Sequence, residues 1–177
     1  MWQAIADGVT RVLHAPWLNS AAIDTACAVV RGYRTAFGRQ LLAGLLGAEP
    51  DRNPTLAAQE LFAAPRVVLA HDDTPLELGE GPCLIYANRA ALSLWRRSWP
   101  GMVGMPSRHT AEPEMRASRQ QALARAHKQQ AITGYSGIRI DSQGRRFAIQ
   151  GACIWTLIDS HGNACGQAAA FSNWHWL

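Results

Sequence analysis

In "NSAAIDTACAVVRGYRTAFGRQLLAGLLG" the apolar residues Ile23, Cys27, Val30, Tyr33, Phe37, Leu41 and Leu45 recur at three- and four-residue steps. That spacing predicts one amphipathic helix over residues 20–46, with Ser20 as N-cap and Gly47 as stop. A second short helix, "LAAQELFAA", follows a Thr55 cap and ends at Pro65. The period then changes. "RVVLA" and "CLIYAN" read as buried strands joined by the turn-rich "HDDTPLELGEGP", and "RAALSLWRRSW" reads as a short helix. A long helix runs to about Gln130. In it Thr110 is the expected N-cap, Glu112 and Glu114 occupy the first turn, and Arg116 and Arg119 lie on the surface. Three strands close the chain, linked by "SQG" and "DSHG" turns. Alternation places Phe147, Ile149, Cys153, Trp155 and Leu157 on one face of the middle strand.

Hairpin-linked strands pair antiparallel. The pattern therefore predicts an α+β domain: a five-stranded antiparallel sheet with helices on one face, plus an N-terminal amphipathic helix. A pocket between the sheet and the helices inserted before its third strand is the expected consequence.

Composition narrows the class. The chain has 177 residues, 48% hydrophobic and 17% charged, which suits a folded domain. No apolar run is long enough for a membrane span. Asp7 and Arg11 interrupt the N-terminal segment, so no signal peptide is expected and a cytoplasmic location is. Cys27, Cys83, Cys153 and Cys165 form no CxxC pair and read as buried free thiols in a reducing compartment. Net charge is +4, unevenly spread: residues 89–146 carry +8 and the rest −4. That basic segment is a candidate surface for an anion or nucleic acid, against the simpler reading of a solvated helix face.

Several segments together carry a family resemblance: "VVLAHDDTP", "YANRAALSLW", "MPSRHTAEPEMRASR", "YSGIRI", "GRRFAIQGACIWTLID" and "GQAAAFSNW". In this order they resemble the PAS superfamily of sensor domains, and most closely its MEKHLA branch, here in the bacterial stand-alone form. The resemblance runs from about Leu56 to Trp176. The sequence departs from the pattern in "LGEGPCLIYAN" and at Thr156, where Asn is commoner. The resemblance implies a PAS-like fold over residues 55–177, with residues 1–54 as an N-terminal helical extension. It implies a sensory, ligand-binding or partner-binding role in signalling. By analogy it offers the N-terminal helix as the contact of a homodimer. It names neither cofactor nor reaction, and the cofactor is unknown at this point. With no homeodomain or zipper in the sequence, nucleic-acid binding does not follow from it.

The candidate chemistry is sparse. "MPSRHTAEPEMR" contains Ser107 and His109, but no GxSxG-type turn presents the serine as a nucleophile. His71, Asp72, Asp73 and His109 are the donors a small metal-dependent enzyme or metalloprotein would use, yet no ligand spacing demands a metal. Haem would fall to His71 or His127, with no CxxCH, and no flavin-photocycle cysteine motif is recognisable. The reading is thus a non-catalytic module. Its pocket candidates are His71, Tyr86, Asn88, Arg108, His109, Arg139, Trp155 and Gln167, with no catalytic or metal-binding residue assigned. Arg108 is a candidate fork for a carboxylate or phosphate, or a partner for Asp72 or Asp73. Gln150 and Gln167 are polar in apolar strands and need partners if buried. The small residues Gly166, Ala168, Ala169 and Ala170 leave room on the last strand for a closely packed helix, partner or ligand.

Overall fold

The computed structural model describes residues 15–42, 50–75 and 77–177. Helix α1 spans Ser20–Phe37, capped by Asn19, whose side chain accepts from Ala22 N; Gly38 ends it in the left-handed conformation. The cap is thus one residue earlier than expected and the stop nine earlier. Leu41 still reaches the core, while Leu45 and Gly47 lie outside the described residues. Helix α2 spans Pro54–Ala63 and is capped by Asn53 rather than Thr55, because Pro54 takes the first helical position.

Strands β1 (Val67–His71) and β2 (Leu84–Ala87) form an antiparallel pair. Helices α3 (Arg89–Trp95) and α4 (Trp99–Met102) and two single 3-10 turns lead to α5 (Arg116–Gln129). Thr110 does not cap α5. It lies in the first 3-10 turn and donates its hydroxyl to Ser107 O at 2.8 Å. Strands β3 (Ala131–Ile140), β4 (Arg146–Ile158), β5 (Ala164–Phe171) and β6 (Asn173–Trp176) complete the sheet.

The strand order is β2-β1-β5-β4-β3, every pairing antiparallel, with β6 also on β4. The expected last strand is therefore two: it breaks at Ser172, and the sheet has six strands. Both late hairpins turn on an aspartate. Asp141 Oδ1 accepts from Gln143 N and Arg145 N, and Asp159 Oδ1 from His161 N and Asn163 N, all at 2.8 Å.

A bulge changes the reading of β4. Gly137 pairs with Ile149 and Tyr135 with Ala152, so three residues of β4 advance against two of β3. Gly151 absorbs the difference at φ +66°. The side-chain alternation slips there. Phe147 and Ile149 face the α3 side, whereas Cys153, Trp155 and Leu157 face α1, so the five do not share a face as their spacing predicts.

Helices α3 and α5 cover one sheet face, as expected of the helices inserted between β2 and β3, but Trp99 of α4 packs with Tyr86 and Phe62 on the other. The pair α1–α2 covers the other, over Val68, Ala70, Tyr86, Trp155 and Ala170. The contact of α1 with the sheet is close. Trp155 Nε1 donates to Val29 O at 3.1 Å, and a Cβ at Gly32 would stand 2.7 Å from Thr156 O and 3.0 Å from the Trp155 ring. Gly32→Ala therefore lowers the melting temperature even though alanine is the better helix former by about 1 kcal/mol. The main-chain oxygen cannot yield, and over-packing of this kind costs about 1–3 kcal/mol. An unchanged or raised melting temperature contradicts this packing.

Candidate functional site

The last residue of β1, the middle of β5, the inward side of β3 and one side of α5 converge between the sheet and the helices. They enclose a cavity of about 50 Å³, lined mainly by apolar side chains such as Leu69, Ile149, Ile154 and Phe171. Its polar wall consists of His71, Thr110, Arg119, Tyr135, Arg139 and Gln167. His71, Leu123 and Gln167 also line an outer cleft of about 430 Å³, bounded by Asp72, Asp73, Glu77 and Lys128.

His71 is 8% exposed. Its Nδ1–H donates to Asp72 O at 2.6 Å, and Nε2 is buried without a partner. Burial lowers its pKa from 6.5 to about 4, the largest influence; the bond to Asp72 opposes this and Arg119 reinforces it. The neutral ring thus presents a bare Nε2 lone pair. Unfolded His71 takes up a proton near pH 6.5 and the folded form only near 4, so between those values the unfolded chain binds more protons and stability falls as pH falls. From pH 7 to pH 5 this one residue removes about 2 kcal/mol of stability. Urea unfolding at the two pH values measures it. His71→Leu should flatten the difference, and an equally steep fall in that variant would place the proton uptake elsewhere.

Arg139 is 5% exposed. Its Nη2 donates to Tyr135 Oη at 2.8 Å and its Nη1 to Ile138 O at 2.8 Å, and its guanidinium lies 5.4 Å from the Tyr135 ring centre. Arg119, half-buried as a residue, brings its guanidinium to the same cavity. Desolvation first and repulsion from Arg139 second push it down to about 9. Neither arginine forms an ion pair among the described residues. Gln167, 6% exposed, donates from Nε2 to Leu123 O at 3.2 Å and ties β5 to α5.

His71, Arg139 and Gln167, singled out from the sequence, are thus brought together. The other candidates are placed elsewhere. Tyr86 and Trp155 are buried on the opposite sheet face, beneath α1, α2 and α4, where burial pushes the Tyr86 hydroxyl's pKa up. Asn88 is fully buried, and its amide is engaged by main chain: it accepts from Val68 N and Ala91 N and donates toward Leu61 O, Ala64 O and Arg66 O. Arg108 and His109 reach Glu80, not Asp72 or Asp73, on the outside of the loop. Asp72 Oδ1 instead accepts from Thr74 N and Cys83 N. Gln150 is exposed. Among the described residues no three His, Cys, Asp or Glu side chains converge as a metal-holding group, and the side chain of His127 lies outside them.

Thr110, Arg119 and Tyr135 are the polar cavity residues that sequence reasoning missed. Arg119, Ala122 and Leu123 stand at helical steps of three and four, the only local sign that this arginine shares a face with two buried residues. Of the basic segment, Arg96 pairs with Asp141, Arg146 with Glu112 and Arg108 with Glu80, while Arg119 and Arg139 turn to the cavity.

An antiparallel sheet with a small cavity under the inserted helices is a PAS-like fold, and solved structures agree. A PAS domain from Colwellia psychrerythraea superposes with a TM-score of 0.55 at 14% identity, covering 69% of this chain and 94% of that one. An RNA-binding light-oxygen-voltage receptor superposes at 0.57 and 15% identity, covering 75% of this chain and 35% of that one. A light-oxygen-voltage domain studied with a flavin analogue gives 0.52 and 17%, covering 72% and 87%. The MEKHLA domain model matches residues 23–176, and the chain belongs to that family. No curated protein matches it. No helix of the described residues is long and apolar enough to cross a membrane.

Proposed function

We propose that this PAS-like sensory module binds a small molecule between its sheet and α5, and that it does so without catalysing a reaction. The observation that carries this is the cavity's polar wall. Among the described residues, two guanidiniums without ion pairs and a buried imidazole nitrogen without a partner stand at a mainly apolar space. Buried polar groups left this way are costly, and a ligand that satisfies them stabilises the fold. Catalysis lacks a nucleophile–base hydrogen bond among the described wall residues: the Thr110 hydroxyl donates to Ser107 O, and Tyr135 Oη accepts from Arg139 Nη2.

A flavin, of which an analogue was used with one structural neighbour, does not fit this space: about 50 Å³ is far below the roughly 300 Å³ at which pockets for drug-sized ligands begin.

A homodimer, if α1 mediates it, uses the helix's polar side at Asp24, Arg34 and Thr35. The apolar side is already packed on the sheet of the same chain. Four free cysteines support a reducing, cytoplasmic setting.

Native mass spectrometry of protein purified from its expression host, followed by mass analysis of the denatured extract, tests the ligand reading. A bound small molecule released on denaturation is expected. An apo mass alone, with no melting shift from fractionated metabolite extracts, would contradict it.

A further inference from the structure

Resting on that reading, we propose that the ligand is a small monocarboxylate with a hydrogen-bond donor, amino or hydroxyl, on the neighbouring carbon. Arg119 and Arg139 hold the carboxylate, and Nε2 of His71 accepts from the donor.

Charge argues for the anion. Both guanidiniums line one small space, and Arg139 spends its bonds on neutral acceptors, Tyr135 Oη and Ile138 O. Two like charges in an apolar cavity repel, and a planar carboxylate matches the guanidinium fork while cancelling one of the two charges and screening their repulsion. The histidine argues for the donor. Its Nδ1–H is committed to Asp72 O, so Nε2 can only accept, and it is buried with nothing to accept from. A bare carboxylate leaves that nitrogen unsatisfied; an α-hydroxyl or α-amino group does not.

Size and surroundings argue for a small monoanion. A cavity of about 50 Å³ takes only a few heavy atoms, since benzene occupies one of about 150 Å³. Any longer tail passes His71 into the outer cleft, where Asp72, Asp73 and Glu77 outnumber Lys128 and oppose a second negative group.

Titration calorimetry with glycolate, glycine, acetate, ethylene glycol and benzene tests the assignment, with the ¹⁵N shift of His71 Nε2 followed in parallel. Glycolate or glycine is expected to bind about tenfold or more tighter than acetate, moving the Nε2 resonance, and ethylene glycol to bind far more weakly. Arg119→Gln should lose about tenfold or more of that affinity without lowering the melting temperature, since it removes one of two repelling charges, with Arg119→Lys as the milder variant. His71→Phe should bring glycolate level with acetate. Equal binding of acetate and glycolate overturns the donor assignment. Benzene or ethylene glycol binding in preference to the carboxylates overturns the anion assignment while leaving the cavity a ligand site. If none of the five binds, the carboxylate class is overturned, and the mass analysis above decides the broader reading separately.

Discussion

Asn88→Ala should leave the domain unable to hold its fold at physiological temperature. The amide of Asn88 joins the start of β1, the end of α2 and the start of α3. It accepts from Val68 N at 3.0 Å and Ala91 N at 3.1 Å and donates to Arg66 O at 2.7 Å and Ala64 O at 3.2 Å. The residue is fully buried, so alanine strands these main-chain groups out of reach of water. At roughly 1–3 kcal/mol for each unsatisfied buried group, the loss is about 5 kcal/mol, comparable to the whole stability of many domains. Asn88→Asp keeps the two acceptor contacts but turns an oxygen toward carbonyls, so it too should be destabilised. Urea unfolding followed by tryptophan fluorescence measures both. A loss below about 1 kcal/mol for Asn88→Ala would contradict the keystone role.

Gly166→Ala should be nearly as damaging, by about 4 kcal/mol, and should also disturb the cavity. Gly166 has φ +145°, and a Cβ there would lie 2.1 Å from His71 O and 3.2 Å from Asp72 Cα. Both are backbone atoms, and β1 is pinned beside β5 by the pairing of His71 with Gln167. The added carbon forces the end of β1 outward in addition to the conformational strain. Because the atom it strikes belongs to His71, the variant should also lose whatever ligand the native protein carries. A variant with native melting temperature and native ligand content would contradict the close approach.

The residues that made the fold legible did so by local physics. The early three- and four-step spacing marks α1 because only one side of it meets the sheet. Aspartate–glycine turns mark the last hairpins. Asn88 was legible as a polar residue ending the second strand and drew attention as a pocket candidate; its ties to α2 and β1 were not legible, since they depend on tertiary placement. The bulge at Gly151 was invisible to simple alternation, which is why Trp155 seemed able to wall the cavity but belongs to the opposite face.

The site was legible where a polar residue interrupted an apolar strand, as at Arg139 and Gln167, or ended one, as at His71. It was not legible on α5. That helix is polar along most of its length, so Arg119 looks like any surface arginine until the sheet is beneath it. The expected room on β5 is real at Ala169, which faces the cavity, but at Gly166 it is filled by the end of β1 and at Ala168 and Ala170 largely by the α1–α2 core.

A small molecule bound between the sheet and α5 should perturb the side chains that line that space. Methyl-selective NMR of the full chain, titrated with the small-molecule fraction extracted from the purified protein, tests it most directly. Shifts concentrated at Leu123, Ile154 and Ala169 are expected, with Val29, Val30 and Leu61 on the other face unmoved. Shifts confined to that other face, or none at saturating extract, would contradict it.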